Sequence, residues 1–458
     1  MSVSNQTGDF KDKGHESTNL MEQIVSRENM AKAYARVYKN KGAPGVDGLE
    51  VNDLETHLQQ HWPSIKEALL EGRYTPQGVK QVSIPKPGGG ERLLGIPTAV
   101  DRMIQQGIHQ IINSLYDPGF SQWSYGFRAG RSAHQAIAQS RTHIQSGKRW
   151  VVDMDLSKFF DEVDHERLLS KLRRKIRDRR VIHLIDRYLK GGIMVNGVET
   201  QRIKGTPQGS PLSPLLSNIV LDELDKELEK RGHKFVRYAD DFQIYVGSKR
   251  TGHRVMANLT NFIENKLKLQ VNKKKSAIDR PWKRSFLGYS FTVDKVSKLR
   301  VGPESIKRLK GKLKEQLRQG RGRNEQKFIE ESLNPILKGW INYFSKSEVK
   351  GFAKAIDGWL RRHLRKNRWL QMKRSWTRFQ ALMKRGISEE RAAQSCFNQR
   401  GAWWNSGASH MNQAYPKSYF DQLGLVSLQD ELGWYHLCID TENRRIRNRT
   451  YGGVRGKK

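Results

Sequence analysis

The chain has 458 residues, a length that corresponds to roughly three domains and allows large apolar cores. It carries 83 Lys and Arg against 47 Asp and Glu, a formal net charge of +36, which indicates a polyanionic partner and makes nucleic acid the first expectation. The hydrophobic fraction of 36% with 9% aromatic residues excludes a disordered basic chain.

The first part of the chain alternates predicted helices with short strands. A turn at 40–45, with the sequence NKGAPG, ends the first helical stretch, and Lys86-Pro87-Gly88-Gly89-Gly90 forms the tip of a predicted hairpin. The predicted elements are helices over 20–40, 51–71, 98–116 and 132–146, and strands over 79–85 and 92–96.

The central part continues this alternation, which predicts a mixed α/β domain up to about residue 295. A buried strand over 150–156 ends in carboxylates, and a hairpin over 235–246 has an acidic turn. Between them lie a basic helix over 168–190, strand character over 193–203 and a loop over 205–211. The loop precedes a helix whose apolar face consists of Leu215, Leu216, Ile219, Leu224 and Leu228.

The pattern changes near residue 303. Three amphipathic, basic segments over 303–320, 325–345 and 349–374 predict a helical domain without strands. The last eighty residues mix aromatic residues with Gly, Ser and Asn and finish in a basic tail, which predicts a partly disordered surface that contacts nucleic acid.

Cysteine usage and the amino-terminal residues exclude several classes of protein. Cys396 and Cys438 are the two cysteines, and there is no C-x-x-C pair, which argues against a disulfide framework and a zinc site and favours a reducing compartment. The first twenty residues are polar, and no apolar run of 18 residues follows, so we expect neither secretion nor a membrane span.

Three acids are the candidates for chemistry. Asp155 ends the buried strand, and Asp240 and Asp241 occupy the turn of the hairpin. Carboxylates at converging strand ends need a cation, and their hard oxygen ligands suit Mg²⁺. A pair of Mg²⁺ ions is a common solution for phosphoryl transfer, including nucleotide polymerisation. An Asp-Asp dipeptide alone is more often an ordinary hairpin turn, so this prediction depends on the surrounding motifs.

The order of motifs resembles that of the reverse transcriptases encoded by bacterial group II introns, over residues 24 to 430. RYADD at 237–241 is similar to their Y-x-D-D box, and VDMDLSKFFD at 152–161 to their first carboxylate motif. The further similar segments are the fingers hairpin IPKP at 84–87 with RLLGIPT at 92–98, GFRAGRSAH at 126–134, GTPQGSPLSP at 205–214, the primer grip FLGY at 286–289 and GWINYF at 339–344 of the maturase domain.

This resemblance implies an α/β right-hand polymerase, with fingers and palm, followed by an all-α thumb/maturase domain. The implied divisions are a loose N-terminus over 1–20, an N-terminal extension and fingers over 21–140, the palm with interleaved fingers segments over 141–298, the thumb/maturase domain over 299–375 and a basic C-terminal region over 376–458 that binds RNA or DNA. An H-N-H nuclease with cysteines ends some members, and because this sequence has no C-x-x-C pair we expect no intrinsic second-strand cleavage.

The resemblance also implies the roles of the acids and of one lysine. Asp155, Asp240 and Asp241 would bind two Mg²⁺ ions, with Mn²⁺ as a substitute, and Asp241 would be the weaker ligand because adjacent residues of a hairpin point differently. Lys275 would protonate the leaving pyrophosphate, although the run of lysines at 273–275 leaves the choice among the three open, and a solvated run is the alternative.

Further positions would contact substrates. The dNTP-binding residues implied are Lys86, Arg92, Leu156, Phe160 and Gln208, with Phe160 excluding the 2′-hydroxyl of a ribonucleotide. The template and primer contacts implied are Arg128, Arg131, Gly209, Phe286, Leu287, Gly288 and Tyr289. Without the resemblance, a core aromatic is the favoured interpretation of Phe160, and solvated hairpin charges are the favoured interpretation of Lys86 and Arg92. For Arg128 and Arg131, charges at a helix start are an equal alternative.

The helical domain has a basic stretch, RRHLRKNRW at 361–369, that fits RNA binding. The predicted RNA-binding residues are Arg361, Arg362, Arg365, Lys366 and Arg368, with Trp369 as a stacking platform. A merely soluble helix face is the alternative.

The implied function is an RNA-directed DNA polymerase that also acts as a maturase in the splicing and mobility of its group II intron RNA. Its partners would be the intron RNA, an RNA template with a DNA primer, dNTPs and target DNA, in a cytoplasmic ribonucleoprotein without a membrane. Two alternatives stay open at this point: an RNA-binding splicing factor with incidental polymerase activity, and a domesticated reverse transcriptase in repair or phage defence.

Overall fold

The computed structural model describes residues 19–85, 90–195, 198–200 and 204–437, with the backbone alone at 193–195 and 198–200. The chain divides into two compact units, Met1–Arg280 and Pro281–Lys458. The predicted hairpin tip from Lys86 onward, the strand end at 201–203 and the basic C-terminal tail lie wholly or partly outside the described residues.

The first unit combines helices with two four-stranded sheets. Its helices are α1 (Leu20–Ile24), α2 (Arg27–Asn40), α3 (Leu54–Leu70), α4 (Ala99–Tyr116), α5 (Ala133–Gln145), α6 (Phe159–Glu162), α7 (His165–Arg173), α8 (Arg179–Lys190), α9 (Ser213–Lys230) and α10 (Lys249–Asn261). Its strands are β1 (Val79–Pro85), β2 (Glu91–Ile96), β3 (Trp150–Met154), β4 (Leu156–Ser157), β5 (Ile193–Val195), β6 (Val198–Thr200), β7 (Lys234–Tyr238), β8 (Asp241–Val246), β9 (Gln270–Val271) and β10 (Ala277–Asp279).

Two segments that were each predicted as one helix are divided by helix caps. The Ser26 side chain accepts a hydrogen bond from the backbone N–H of Asn29 and starts α2, which separates it from α1. The Asp178 side chain accepts one from the backbone N–H of Arg180 and starts α8, which separates it from α7. A side chain that satisfies an otherwise unpaired N–H favours a new helix start at such a position.

Of the two sheets in the first unit, the second positions the candidate site. One sheet has the strand order β2-β1-β5-β6, and the other has the order β10-β3-β8-β7. In the second sheet, β3 pairs antiparallel with β8, and Met154 lies opposite Phe242. The interior of β3 is apolar, with Val151, Val152 and Met154 buried. This pairing places the end of β3 beside the turn that joins β7 to β8.

A continuous apolar core supports these elements. It extends from Leu20 in α1 to Val271 in β9 and includes residues of α4, α7, α8, α9 and the sheet that contains β3, β7 and β8. Helix α4 is deeply buried, with Ile104, Ile108 and Ile112 each at 0% exposure. Burial of each side chain of this size stabilises the folded state by about 1.5–3 kcal/mol. The elements that carry the candidate site therefore pack on a stable core.

The second unit is almost entirely helical, as predicted, but it begins with a small antiparallel hairpin. Its strands are β11 (Tyr289–Phe291) and β12 (Leu299–Val301). Its helices are α11 (Pro303–Gln319), α12 (Glu325–Phe328), α13 (Asn334–Phe344), α14 (Gly351–Gln371), α15 (Ser375–Met383), α16 (Glu389–Cys396), α17 (Ala402–Gly407), α18 (Ser409–Ala414) and α19 (Lys417–Gln422). A π-helical turn at Ile329–Leu333 separates α12 from α13 inside the segment predicted as one helix, and a further helical segment covers 428–437.

The core of the second unit crosses the predicted boundary at residue 375. Leu309 and Leu364 lie in the same apolar cluster as Leu382, Met411 and Phe420. The part of the C-terminal region that the structure describes is therefore folded onto the helices that precede it, whereas the sequence predicted partial disorder. None of the described helices combines the length and the apolar character needed to cross a bilayer.

Candidate active site

The acidic turn is formed by a tight hairpin between β7 and β8. Tyr238 and Asp241 are the last paired residues, so Ala239 and Asp240 form the two-residue connection. Ala239 has a φ of 59°, in the left-handed region that such turns require. The hairpin agrees with the prediction, except that Asp241 begins β8 instead of lying in the turn.

Asp155 and Asp240 are brought together by strand pairing. Because Met154 pairs with Phe242, the next residue, Asp155, lies at the same end of the sheet as the turn. Burial raises the pKa of Asp240 above its ordinary value, and the negative charge of Asp155 raises it further, while Arg92 and Arg237 oppose the increase.

A second set of contacts holds Asp155 from the segment after β9. The Asn272 side-chain amide donates a hydrogen bond to Asp155 Oδ2 at 2.9 Å, and the backbone N–H of Asn272 donates to the Asp155 carbonyl at 2.8 Å. The backbone N–H of Asp155 donates to Ser276 Oγ at 3.1 Å. The Lys275 ammonium lies 3.7 Å from Asp155 Oδ2.

The turn itself is held from beneath by a fully buried arginine. The Arg237 guanidinium forms a bidentate pair with Asp225, at 2.8 and 2.6 Å, and both side chains are 0% exposed. Its remaining Nη1 group donates to the Ala239 carbonyl at 2.9 Å and to Asn218 Oδ1 at 3.0 Å. Arg237 therefore ties the peptide just before Asp240 to helix α9.

Gly126 completes this support. The Asn218 side-chain amide donates to the Gly126 carbonyl at 3.0 Å. A Cβ on Gly126 would lie 2.3 Å from the backbone nitrogen of Ala239, so only glycine permits this approach to the turn. The predicted motif at 126–134 thus contacts the acidic turn through its glycine.

These supporting residues were missed by reasoning from the sequence. Arg237 follows the buried apolar residues Phe235 and Val236 in β7, and a charged residue at that position was the available signal. Asp225 and Asn218 lie on the buried side of α9, and their link to Arg237 depends on tertiary packing.

The donor chemistry of the acids fits a divalent cation. Asp155 and Asp240 supply hard carboxylate oxygens, and burial, with the nearby charge of Asp155, raises the pKa of Asp240, an effect that a bound cation would oppose. Asp241 is exposed at the start of β8. Among the described residues there is no group of three or more His, Cys, Asp and Glu side chains arranged to hold a metal ion, so bound substrate or water would have to complete the coordination.

The loop at 205–210 lies between the segment after Asp155 and strand β2. The backbone N–H of Thr206 donates to the Phe160 carbonyl at 2.6 Å, and the backbone N–H of Gly95 donates to the Gln208 carbonyl at 2.8 Å. Phe160 is partly buried against the core, and its ring is 5.3 Å from that of Phe159. Arg92 is exposed on β2, and Leu156 is buried in β4. Lys86 lies outside the described residues.

The two arginines of the 126–134 motif have different surroundings. Arg128 is directed inward: its side chain is 6% exposed, donates to Asp117 Oδ1 at 2.7 Å and contacts the carbonyls of Ser121 and Ser124. This arrangement is structural, in contrast to the predicted template contact. Arg131 is partly exposed and donates to the Gln122 carbonyl at 3.0 Å.

The predicted primer-grip residues form a tight turn in the second unit. Phe286 and Tyr289 are buried, and their backbones pair with each other. Leu287 and Gly288 both have positive φ, at 51° and 81°, and lie partly exposed between them. The Tyr343 hydroxyl donates to the Leu287 carbonyl at 2.8 Å and fixes the turn.

The predicted RNA-binding helix α14 exposes only part of its basic stretch. Arg361, Arg362, Lys366 and Arg368 are partly exposed. Arg365 is buried, donates through Nε to the Tyr415 carbonyl at 3.1 Å and has its pKa lowered to about 10, first by burial. It holds α14 against the chain at Tyr415, which contradicts its predicted contact with RNA.

The predicted stacking role of Trp369 is wrong because that ring is 2% exposed and lies in the core. A different set of rings reaches the surface. The ring of Trp359 is 4.4 Å from that of His363, which is 4.8 Å from the ring of Trp403. Trp403 is 42% exposed.

Cations surround these rings. Arg362 lies 4.1 Å from the ring of Trp403, and Lys310 lies 5.7 Å from that of Trp359. Burial, together with the charges of Lys366, Lys314 and Arg362, lowers the pKa of His363 to about 4. We refer to Lys310, Trp359, Arg362, His363 and Trp403 as the aromatic-basic surface.

Comparisons with known proteins agree with the motif order. Residues 84–291 match the family model described as reverse transcriptase (RNA-dependent DNA polymerase), and residues 306–386 match that of the group II intron, maturase-specific domain. The chain is 32% identical to Protein YkfC of Escherichia coli (strain K12) over 299 residues, which cover 57% of this chain and 78% of that protein.

Two further similarities are more partial. The chain is 31% identical to the group II intron-encoded protein LtrA of Lactococcus lactis subsp. cremoris over 342 residues, which cover 60% of this chain but only 57% of LtrA. Among solved structures, it is similar to the partial Cas6-RT-Cas1–Cas2 complex, with 27% identity over 54% of this chain and 42% of that one and a TM-score of 0.35. A TM-score this low supports no structural argument.

Proposed function

Because the chain belongs to the family of group II intron reverse transcriptases with a maturase domain, we propose that it copies RNA into DNA by two-metal nucleotidyl transfer. The observation that carries this proposal is the meeting of Asp155, at the end of β3, with Asp240 in the β7–β8 turn. The deep support of that turn by Arg237 fits a site whose position must be fixed.

The acids would hold the metal ions. Asp155 and Asp240, with Asp241 as the weaker ligand, would bind two Mg²⁺ ions, for which Mn²⁺ could substitute. When bound, Mg²⁺ would lower the pKa of the primer 3′-hydroxyl and neutralise charge on the leaving oxygen.

The other residues of the chain orient and protonate the substrate. The primer 3′-oxygen attacks the α-phosphorus, and the bond from that phosphorus to the pyrophosphate oxygen breaks. Arg92 would bind the triphosphate together with Lys86, since a guanidinium and an ammonium both pair with phosphate oxygens. Lys275, beside Asp155, would donate a proton to the leaving pyrophosphate.

Further residues would contact the sugar of the incoming nucleotide, the template and the primer. Phe160 would lie under the incoming sugar and exclude a 2′-hydroxyl, and Leu156 and Gln208 would contact the nucleotide. Gly209 would let the backbone approach the template, and Arg131 would contact template phosphates, whereas Arg128 is used internally. The turn at Leu287 and Gly288 would contact the primer through its backbone.

We also propose that the second unit binds structured intron RNA as a maturase, with the aromatic-basic surface as one contact. Exposed rings that alternate with cations suit unpaired bases and their phosphates. Arg361, Lys366 and Arg368 would extend this contact along α14. Target DNA would be a further partner of the C-terminal region.

The polymerase proposal is tested by primer extension. The purified protein, with an RNA template, an annealed DNA primer, dNTPs and Mg²⁺, should extend the primer, and chelation of Mg²⁺ should stop the reaction. Failure to extend any primer under these conditions would contradict the proposal.

A second candidate function is an RNA-binding splicing factor that does not need polymerase activity. The folded helical unit and its surface favour RNA binding by themselves. Splicing assays with Asp240→Ala separate this function from DNA synthesis, because an RNA chaperone should not require that acid. A domesticated reverse transcriptase without an intron partner would extend primers but would not stimulate splicing.

A further inference from the structure

The backbone that carries Phe160 is tied to the loop at 205–210 by paired hydrogen bonds. The backbone N–H of Thr206 donates to the Phe160 carbonyl at 2.6 Å, and the backbone N–H of Gly205 donates to the Val163 carbonyl at 2.8 Å. Helix α6, which contains Phe160, has only four residues and cannot be rigid by itself. The loop therefore sets the position of Phe160.

His165 holds this loop from the interior. Its Nε2 lies 2.7 Å from the Gly205 carbonyl, and His165 is 5% exposed. A carbonyl oxygen only accepts, so Nε2 carries the proton and donates. His165 is the first residue of α7, whose start is capped by the Asp164 side chain accepting from the backbone N–H of Arg167 at 2.8 Å. The donor is thus fixed by a helix that packs in the core.

Gly205 is required by both its conformation and its surroundings. Its φ is +88°, and a Cβ there would lie 2.8 Å from the Phe160 carbonyl oxygen and 2.9 Å from Asp161 Cα. These neighbours are backbone atoms, so any side chain would push the loop away from the Phe160 segment.

The other end of the loop is fixed as well. The Gln208 carbonyl accepts from the backbone N–H of Gly95 at 2.8 Å, and the Pro207 carbonyl accepts from the Ser213 hydroxyl at 2.8 Å. A change at the His165 end is therefore transmitted to the Phe160 segment and not absorbed by a free loop.

We propose that His165 and Gly205 are positioning residues for sugar selection, which they control through the backbone of Phe160. This inference rests on the proposed polymerase function and on Phe160 as the sugar gate. A ring that excludes one hydroxyl group must be held within a fraction of an ångström. Loss of the His165 hydrogen bond lets the loop and the ring retreat together, which makes room for a 2′-hydroxyl.

The test compares incorporation of a ribonucleotide and its deoxynucleotide by the full-length protein. His165→Leu, which keeps the volume but removes the donor, should raise the ratio of kcat/KM for the ribonucleotide to that for the deoxynucleotide by about two- to tenfold, the worth of one hydrogen bond. The folded fraction of the enzyme cancels in this ratio, so reduced stability alone cannot move it. His165→Gln, which retains a donor of similar reach, should restore most of the discrimination.

Two further variants make the result decisive. His143→Leu alters another buried histidine of this unit, packed against Trp123 and Tyr245, and should leave the ratio unchanged. Phe160→Ala should raise the ratio more than His165→Leu, and the double variant should match Phe160→Ala alone, because His165 acts through that ring.

The outcomes separate this inference from the proposed function. If Phe160→Ala changes the ratio but His165→Leu does not, or if the two effects multiply, the positioning role of His165 is refuted while the polymerase proposal stands. If Phe160→Ala leaves the ratio unchanged, the gate and its positioning residues are both refuted. A wild-type protein that extends no primer refutes the proposed function itself.

Discussion

At the residue scale, the candidate site consists of a few acids held by specific polar partners. Asp155 is oriented by Asn272 and lies near Lys275, and the turn at Asp240 is fixed by Arg237. Partners of this kind are as important for a metal site as its ligands because they set the orientation of the carboxylates.

Lys275 offers the most direct test of a single side chain. Lys275→Ala should lower kcat by about 100-fold or more, because the leaving pyrophosphate would lose its proton donor. Lys273→Ala and Lys274→Ala are matched controls on the same exposed run and should stay close to the wild-type kcat. Equal effects of all three substitutions in single-turnover assays would assign the lysines to general electrostatic attraction.

Sequence motifs identified the acids but not the residues that support them. Asp155 and Asp240 stand at recognisable positions, whereas the partnership of Arg237 with Asp225 and Asn218 arises from the packing of α9 beneath β7. A charged residue is expected to be exposed, so its pattern gives no indication of complete burial. The same limit explains Arg128 and Arg365, which were predicted to contact nucleic acid and instead bind backbone carbonyls.

At the element scale, the β7–β8 hairpin depends on α9 through one buried ion pair. Breaking such a pair leaves an uncompensated buried charge and costs about 3–5 kcal/mol. We therefore predict that Asp225→Asn lowers the free energy of unfolding by about this amount and reduces DNA synthesis, since the turn that carries Asp240 loses its anchor.

Chemical unfolding followed by circular dichroism measures this change. Glu28→Ala removes an exposed ion pair with Lys32 and is the control, for which we expect no measurable change. An Asp225→Asn protein as stable and active as this control would show that the buried pair does not hold the turn.

The sequence predicts the boundaries of an element where it contains a strong local signal. It misses them where tertiary contacts determine where the element begins and ends. The strands around Asp155 and Asp240 and the long helix α11 appear at the predicted residues. The short helices α15 to α19 were not predicted, because each has at most nine residues and is stabilised by packing on a shared core.

At the scale of the whole molecule, the large positive charge and the exposed rings would contribute to the proposed nucleic-acid binding in different ways. Contacts to phosphate release counterions and make binding depend on salt, whereas stacking does not. The sequence predicted a binding role for Trp369, which is buried, and none for Trp403, which is exposed. Helical periodicity does not tell which of these rings faces the core.

We predict that Trp403→Ala weakens the binding of single-stranded RNA by about 1–3 kcal/mol without changing the slope of affinity against salt concentration. Arg362→Ala should weaken binding and also reduce that slope by about one counterion. Trp376→Ala, at another exposed tryptophan of the same unit, is the control and should have little effect. Unchanged affinity of the Trp403 variant, measured by fluorescence anisotropy, would remove the aromatic-basic surface from the RNA contact.

The most direct test of the central claim measures DNA synthesis and template binding with the same preparation of Asp240→Ala. We predict that primer extension is abolished while affinity for the RNA template with its annealed primer stays nearly unchanged, because the proposed role of Asp240 is to hold metal ions and not the template. Extension that persists in the variant, or binding that is lost in parallel with synthesis, would contradict this account.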